Sequence, residues 1–419
     1  MNASNRPFII IALAIGLATL FLCESAGAAS TSGAPRRPNI ILIVADDLGY
    51  GDLGSYGQSK VRTPVLDKLA AEGMRFTDFY AGSTVCAPSR ASLLTGLHSG
   101  HSPVRENPRW TRSGHPVDLA SEDRLFSEVL QDAGYATAVI GKWGMAEDQR
   151  VEDLAANPAM PLQQGFDYFF GYKHHGDAHH YYWDKLYENN NVYQLEGNDY
   201  ETNTGQYTHD IFTQKALEYI EGQTDEKPFL LYLAYTIPHM AITVPEDSKE
   251  PYLELGWPER EMNTQGHYKH DPEGHTAFAG MVSRMDRDIG RIRKLLEEKG
   301  IDENTLILFT SDNGHEYDDG FFDSNGPLRG MKRDLYEGGI RVPMIAWWPG
   351  TVPANITSSH VGAFWDVLPT ACELARAEGC PASDGLSFVP TLLGNKEKQE
   401  QHEYLYWEFN ESQDRKSVV

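Results

Sequence analysis

The chain has 419 residues, which is enough for one large α/β domain and a smaller appendage. Its 60 acidic residues outnumber its 36 basic ones, and the formal net charge is −24. This charge argues against a nucleic-acid partner, because phosphate backbones bind to basic faces, and an anionic substrate would need a local cluster of cationic groups.

The first residues predict an export signal. Arg6 gives a positive start, residues 8–23 form an apolar run, and Ala26-Gly27-Ala28 is a small-residue cleavage site. The run approaches the length of a membrane span, so a single anchor is the alternative. We predict a signal peptide over residues 1–28, a linker over 29–38, and an exported protein, periplasmic or extracellular, that keeps no membrane span.

A nearly continuous apolar run at residues 39–45 predicts a strand that is buried on both faces. It ends in Asp46-Asp47, two adjacent carboxylates that are costly to bury unless a cation or hydrogen-bond donors meet them. These residues are therefore candidate metal ligands, and an exposed acidic loop is the alternative. A helix follows, with Thr63 as its N-cap, Pro64 in its first turn and Gly73 after its end.

Cys86 stands just ahead of a predicted short helix that Pro88 begins and Gly96 ends. Free N–H groups at a helix start favour an anion or thiolate, and Arg90 adds a positive charge one turn further on. A small buried core cysteine is the alternative for an isolated thiol. Cys23 would leave with the signal peptide. Cys372 and Cys380 are close enough in sequence to form a local disulfide in an oxidising compartment, which leaves Cys86 as the odd cysteine.

Strands and helices then alternate, which predicts a mostly parallel sheet with helices on both faces. The predicted helices cover residues 122–132, 210–221, 275–298 and 366–376, and the predicted strands cover residues 135–140, 229–235 and 305–310. Candidate site residues follow the strand ends, where such sheets collect their sites. They are Lys142, His239, Asp312, Asn313 and His315.

Two segments read as loops. Residues 165–209 look irregular and hold a histidine-dense patch around His179, for which we favour substrate recognition over adventitious metal binding. The glycine-rich residues 326–339 carry Arg329 and Lys332. The apolar run that follows at 342–348 contains Pro343 and predicts an edge strand.

Two strand ends together offer an all-oxygen set of side chains, those of Asp46, Asp47, Asp312 and Asn313. Such a set suits a hard divalent cation, Ca²⁺ above all, whereas zinc prefers more histidine or cysteine. The sequence therefore predicts one calcium ion.

Several motifs together resemble the type I, formylglycine-dependent sulfatases. They are Asp46-Asp47, the Cys-x-Pro-Ser-Arg run at 86–90 with the Leu-Leu-Thr-Gly that follows it, Gly141-Lys142-Trp143, His239, Asp312-Asn313-Gly314, and the run at 328–339. The resemblance implies an alkaline-phosphatase-like fold over residues 39–395 and hydrolysis of sulfate monoesters. A sulfated sugar or polysaccharide fragment is the favoured substrate, and an aryl sulfate would serve as a test compound.

The resemblance also implies roles. Cys86 would be oxidised to formylglycine by a formylglycine-generating or anaerobic sulfatase-maturating enzyme, and would ligate Ca²⁺ with Asp46, Asp47, Asp312 and Asn313. The hydrated aldehyde would supply the attacking hydroxyl. Arg90, Lys142 and Lys332 would surround the sulfate, with His239 as the acid for the leaving alcohol, and Arg329 is a further substrate-binding candidate.

The sequence departs from the family pattern at two places. Many members have histidine where this chain has Gly144, and His179 or His315 could compensate. Residues 396–419 resemble only the start of a small C-terminal subdomain, and a strand without its sheet would leave an unpaired edge there. The alternatives are a phosphomonoesterase of the same superfamily and a non-catalytic carbohydrate-binding relative.

Overall fold

The structure is a computed structural model that describes residues 36–108, 116–147, 153–317 and 319–409, and the strand backbone at 414–418. The predicted signal peptide and most of the predicted linker lie outside the described residues. The described strands are β1 (Asn39–Ala45), β2 (Met74–Phe76), β3 (Phe79–Tyr80), β4 (Ala136–Lys142), β5 (Tyr168–Tyr172), β6 (Lys185–Glu188), β7 (Asn191–Gln194), β8 (Phe229–Ala234), β9 (Thr305–Ser311), β10 (Met344–Trp347), β11 (Ile356–Ser358), β12 (Gly362–Ala363), β13 (Leu405–Phe409) and β14 (Asp414–Val418). The described α-helices are α1 (Pro64–Glu72), α2 (Cys86–Thr95), α3 (Phe126–Asp132), α4 (Thr208–Glu221), α5 (Glu246–Leu253), α6 (Gly274–Lys299), α7 (Glu337–Ile340), α8 (Val367–Ala375) and α9 (Val389–Leu392).

Ten strands form one sheet in the order β11-β2-β10-β9-β1-β8-β4-β5-β6-β7. The five at its centre, from β9 to β5, are all parallel, and antiparallel pairs occur on either side of them. All seven residues of β1 are buried, as expected for a strand covered on both faces. This arrangement confirms the predicted α/β class with a mostly parallel sheet.

Helices cover both faces of the sheet, as predicted. Alternate residues of β1 point into two separate cores, with Ile41 and Ile43 on one side and Leu42 and Val44 on the other. Apolar residues of α1, α4 and α6 fill the first core, and those of α2, α3 and α8 fill the second. The sheet is therefore the middle layer of three, which leaves the strand ends as the place for a site.

Two predictions about strands are wrong. The apolar run at 342–348 is an inner strand, because β10 lies between β9 and β2. Pro343 precedes the first residue of β10, so its missing N–H falls outside the ladder. The segment 165–209 is also more regular than predicted, since β5, β6 and β7 extend the sheet there.

The last two strands form a small sheet of their own. β13 pairs antiparallel with β14. Leu405, Trp407 and Phe409 pack with Tyr80 and Trp365 in a third, smaller core. The predicted disulfide between Cys372 and Cys380 is confirmed. None of the described helices is both long and apolar enough to cross a membrane.

Candidate active site

The predicted polar residues meet at the carboxyl edge of the sheet. Asp46 and Asp47 follow β1, and Asp312 and Asn313 follow the adjacent parallel strand β9. Lys142 is the last residue of β4, and His239 follows β8. Parallel neighbours end at the same edge, which explains why residues far apart in sequence share one buried cluster.

Cys86 lies at the centre of this cluster as a free, fully buried thiol. Its Sγ atom is 3.5 Å from Asp46 Oδ1 and 4.0 Å from Asp47 Oδ1. Ligand atoms of Asp46, Asp47, Cys86 and His239 all lie within 4.8 Å of one another, which is close enough to hold one metal ion. Cys86 is the first residue of α2 rather than the residue ahead of it.

The structure does not favour a thiolate at Cys86. Burial raises the pKa of the thiol well above its usual value, although Lys142 and Lys332 act in the opposite direction. A raised pKa disfavours the thiolate, so the helix start does not by itself make this residue a nucleophile.

Three cations pair with the three aspartates. Lys142 Nζ is 2.7 Å from Asp46 Oδ2, and Lys332 Nζ is 2.7 Å from Asp47 Oδ2. Arg90 binds Asp312 through Nε and Nη2, each 2.9 Å from Oδ2. All six of these side chains are buried, so each charge depends on its partner.

The buried carboxylates differ in their proton affinity. Burial alone would raise the pKa of Asp46, but Lys142 and the other neighbouring cations hold it well below its usual value. Burial and the nearby Asp46 carboxylate raise the pKa of Asp312 to about 6. Crowded carboxylates of this kind repel one another unless a cation lies between them.

The local backbone orients these oxygens inward. Asp47 has a positive φ of 61°, and its N–H donates to Asp312 Oδ1 at 3.1 Å. The Asn313 side-chain amide donates from Nδ2 to Asp47 Oδ1 at 2.7 Å. Asn313 Oδ1 is buried and has no hydrogen-bond partner among the described residues. An orphaned amide oxygen beside carboxylate oxygens fits a hard divalent cation, as the sequence predicts.

Glu316 is a site residue that the sequence analysis missed. Its carboxylate is 2.9 Å from Lys332 Nζ and 2.5 Å from Arg333 Nη1. Burial alone would raise the pKa of Glu316, but Lys332 and its neighbours hold it well below its usual value. Lys332 therefore lies between two carboxylates, those of Asp47 and Glu316. Glu316 lies four residues after Asp312, in the segment that follows β9, and this position is the signal that could have indicated it.

His239 faces the aspartates on one side and contacts further histidine rings on the other. Its Nε2 is 3.5 Å from Asp47 Oδ2, and its Nδ1 contacts the Met240 carbonyl. Burial and the charge of Lys332 lower the pKa of His239 to about 3. His179 stacks on His239 with ring centres 4.5 Å apart, and His175 meets His179 edge to face at 5.3 Å.

The remaining predicted residues lie in different settings. His179 contacts the site residue His239. This contact is required if His179 is to replace the histidine that many family members have at the position of Gly144. His315 is buried, and its backbone carbonyl accepts a hydrogen bond from the Lys332 N–H at 2.9 Å. Arg329 is exposed, with its guanidinium 3.8 Å from the centre of the Tyr336 ring. A substrate-binding role for these three stays a prediction.

Fold and site together define a hydrolytic enzyme with the alkaline-phosphatase-like α/β fold. The crystal structure of Ps i-CgsB in complex with k-i-k-neocarrahexaose has a TM-score of 0.71 and 28% identity, and the match covers 89% of this chain and 80% of that one. The Sulfatase family model matches residues 38–377, and the chain therefore belongs to the sulfatase family. It is a sulfuric ester hydrolase.

Curated relatives agree with this family. N-acetylgalactosamine-6-sulfatase of Canis lupus familiaris is 34% identical over 411 residues, which cover 92% of this chain and 72% of that protein. Arylsulfatase G of Rattus norvegicus is 32% identical over 414 residues, which cover 88% of this chain and 71% of that protein. The predicted family and reaction class are thereby confirmed.

Proposed function

We propose that this sulfatase hydrolyses sulfate esters of carbohydrates, with Cys86 converted to formylglycine and one Ca²⁺ ion at the strand ends. The observation that carries the proposal is the buried Cys86 thiol, 3.5 Å from Asp46 Oδ1 and inside a set of carboxylates and buried cations. Such a position is poor for a thiol nucleophile and well suited to a metal ligand.

The ion would be held by side-chain oxygens of Asp46, Asp47, Asp312 and Asn313, with residue 86 as a further ligand. The unpartnered Asn313 Oδ1 supports this assignment. Hard oxygen ligands of this number favour Ca²⁺ over zinc. When bound, the ion supplies Lewis-acid stabilisation of negative charge at residue 86 and at the sulfate.

The formylglycine at position 86 supplies a geminal hydroxyl group as nucleophile, which the cysteine thiol cannot. The Cys86 side chain is 0% exposed, so an enzyme that oxidises it must act before the chain has folded. We therefore propose a formylglycine-generating or anaerobic sulfatase-maturating enzyme as a partner.

Arg90, Lys142 and Lys332 would bind the sulfate oxygens and neutralise the charge that shifts in the transition state. His239 would protonate the leaving oxygen. Its Nδ1–H donates to the Met240 carbonyl, which leaves Nε2 facing the site. A bound sulfate ester opposes the field of Lys332 and so favours the protonated imidazole that this step needs.

A wall of rings supports a carbohydrate substrate. It starts at His239 and His179, continues to His267 with a ring nitrogen distance of 3.1 Å, and reaches the partly exposed Trp183 through His180. Ring faces of this kind suit the apolar faces of sugars. The relatives named for N-acetylgalactosamine 6-sulfate and the structure containing a neocarrahexaose agree with this substrate class.

Export is part of the proposal. The disulfide between Cys372 and Cys380 suits an oxidising compartment, periplasmic or extracellular. The signal at residues 1–28 would deliver the chain there.

The test is coexpression with a maturation enzyme, followed by two measurements on the same protein. Mass spectrometry of the peptide that contains Cys86 should show aldehyde in place of thiol, and a panel of sulfated mono- and oligosaccharides should release sulfate. Cys86→Ala is the matched control and should release none. A persistent thiol with no sulfate release would contradict the proposal, and faster release of phosphate than of sulfate would favour a phosphomonoesterase.

A further inference from the structure

Gly144 leaves a space beside the site. Its φ is +69°, and a Cβ atom built on it would lie 3.5 Å from His175 Nδ1 and 3.5 Å from His175 Cα. The three atoms nearest to that position all belong to His175. The volume that a side chain at position 144 would enter is therefore bordered by the imidazole of His175.

The backbone holds His175 in this place. The Gly144 N–H donates to the Lys173 carbonyl at 3.1 Å, and the Trp143 N–H donates to the Tyr172 carbonyl at 3.0 Å, which continues the pairing of β4 with β5. The His175 N–H donates to the Glu147 carboxylate. Three hydrogen bonds thus fix the loop after β5 against the segment that contains Lys142 and Gly144.

The His175 ring is buried but unsatisfied. It is 5% exposed, and its Nδ1 has no hydrogen-bond partner among the described residues. Buried polar atoms are nearly always paired, so an unpaired one beside a site is available to bind a ligand. The ring meets His179 edge to face, and His179 in turn stacks on His239.

We infer that His175 is a substrate-binding residue of this sulfatase, whose imidazole Nδ1 hydrogen-bonds an oxygen of the substrate's sulfate group in the space beside Gly144. The inference rests on the proposed function. It places one contact to the sulfate on the loop after β5 rather than on the strand end that carries Lys142. A neutral N–H donor there adds to the three buried cations without adding a fourth charge.

The first experiment uses the Cys86→Ser protein loaded with calcium, and it measures the dissociation constant of inorganic sulfate by calorimetry. His175→Ala should weaken sulfate binding by about tenfold, the usual value of one hydrogen bond to an anion. His175→Gln keeps an N–H donor and should recover binding to within about threefold. His175→Phe keeps the ring volume without a donor and should bind as weakly as the alanine variant.

The second experiment measures turnover of the matured enzyme on an aryl sulfate. The order of kcat/KM should follow the order of sulfate affinity, with His175→Gln above His175→Phe. His360 is the matched control, because it is also a buried histidine but its charged neighbours are Asp366 and His402 rather than the site residues, and His360→Ala should keep wild-type kcat/KM.

The outcomes separate the inference from the proposed function. If His175→Phe binds sulfate as tightly as the unsubstituted histidine does, the ring only fills space and the inference is wrong. If the matured wild-type protein releases no sulfate, the proposed function is wrong. In that case the sulfate titration of the Cys86→Ser series still tests the role of His175.

Discussion

Replacing Arg90 by methionine tests whether the buried ion pairs hold this site together. The Arg90 side chain is 1% exposed, and its Nε and Nη2 atoms each lie 2.9 Å from Asp312 Oδ2. A second carboxylate, that of Asp46, is 3.7 Å from Nη2. Methionine has a similar volume but no charge, so the Asp312 carboxylate would stay buried without its cation.

Removal of one partner from a buried ion pair costs about 3–5 kcal/mol in the free energy of unfolding. The compact unit spans residues 37–419. An unfolding entropy of about 2.1 cal/mol/K per residue gives roughly 0.8 kcal/mol/K for a unit of this size, so Tm should fall by about 4–6 °C. Calcium should reduce the deficit, because a divalent cation beside Asp46 and Asp312 replaces part of the lost charge.

The assay is thermal unfolding with EGTA and with excess calcium. Arg124→Met is the control, because Arg124 is 40% exposed and pairs with Asp132 on the surface, where an ion pair is worth about 1 kcal/mol or less. Its Tm should lie within about 1 °C of wild type. If Arg90→Met melts with the control in EGTA, the buried pair does not stabilise the fold and the reasoning is refuted.

Three further changes test the site and its support. Chelation of calcium should abolish turnover and lower Tm by about 3 °C relative to a hundredfold excess over Kd, and unchanged turnover in EGTA would argue against the ion. Lys332→Ala should lower kcat/KM at least about 100-fold, whereas Arg333→Ala, which removes a half-exposed partner of Glu316, should cost less than about tenfold; equal losses would contradict the assignment. Gly141→Ala should prevent folding, because its Cβ would lie 1.9 Å from a carbonyl oxygen of β8. The yield of soluble protein and its circular dichroism measure this. The control Gly300→Ala has open space around it and should lower the free energy of unfolding by only about 1 kcal/mol.

Long apolar runs and helix signals made the sheet and its main helices predictable. Strand β1 matches its predicted bounds, and α1 begins at Pro64 after an N-cap Thr63. Both predictions succeed because neighbouring residues alone determine these elements. The place of the aspartates followed from the parallel topology, since strand ends share one edge. The family motifs supplied the remaining assignments around Cys86.

His175 could not be found in this way, and Glu316 was missed although it follows Asp312 by four residues. His175 is one histidine in a dense patch, and its approach to Gly144 depends on the course of the loop after β5. The ion pair between Glu316 and Lys332 forms only when the chain folds back over the 16 residues that separate them. Strand β10 was predicted at the edge of the sheet because its run contains a proline. Its place inside the sheet depends on pairing with β2 and β9, which the local sequence does not indicate.

The charge balance of the site explains how a protein with a net charge of −24 can bind an anion. Four carboxylates, those of Asp46, Asp47, Asp312 and Glu316, face four cations, those of Arg90, Lys142, Lys332 and Arg333. The cluster is close to neutral as the protein alone builds it. In the proposed function a divalent cation makes it positive by two charges, which a sulfate ester then partly neutralises. In that proposal calcium creates the attraction for the substrate as well as organising the nucleophile, and the acidic exterior does not decide what the buried site binds.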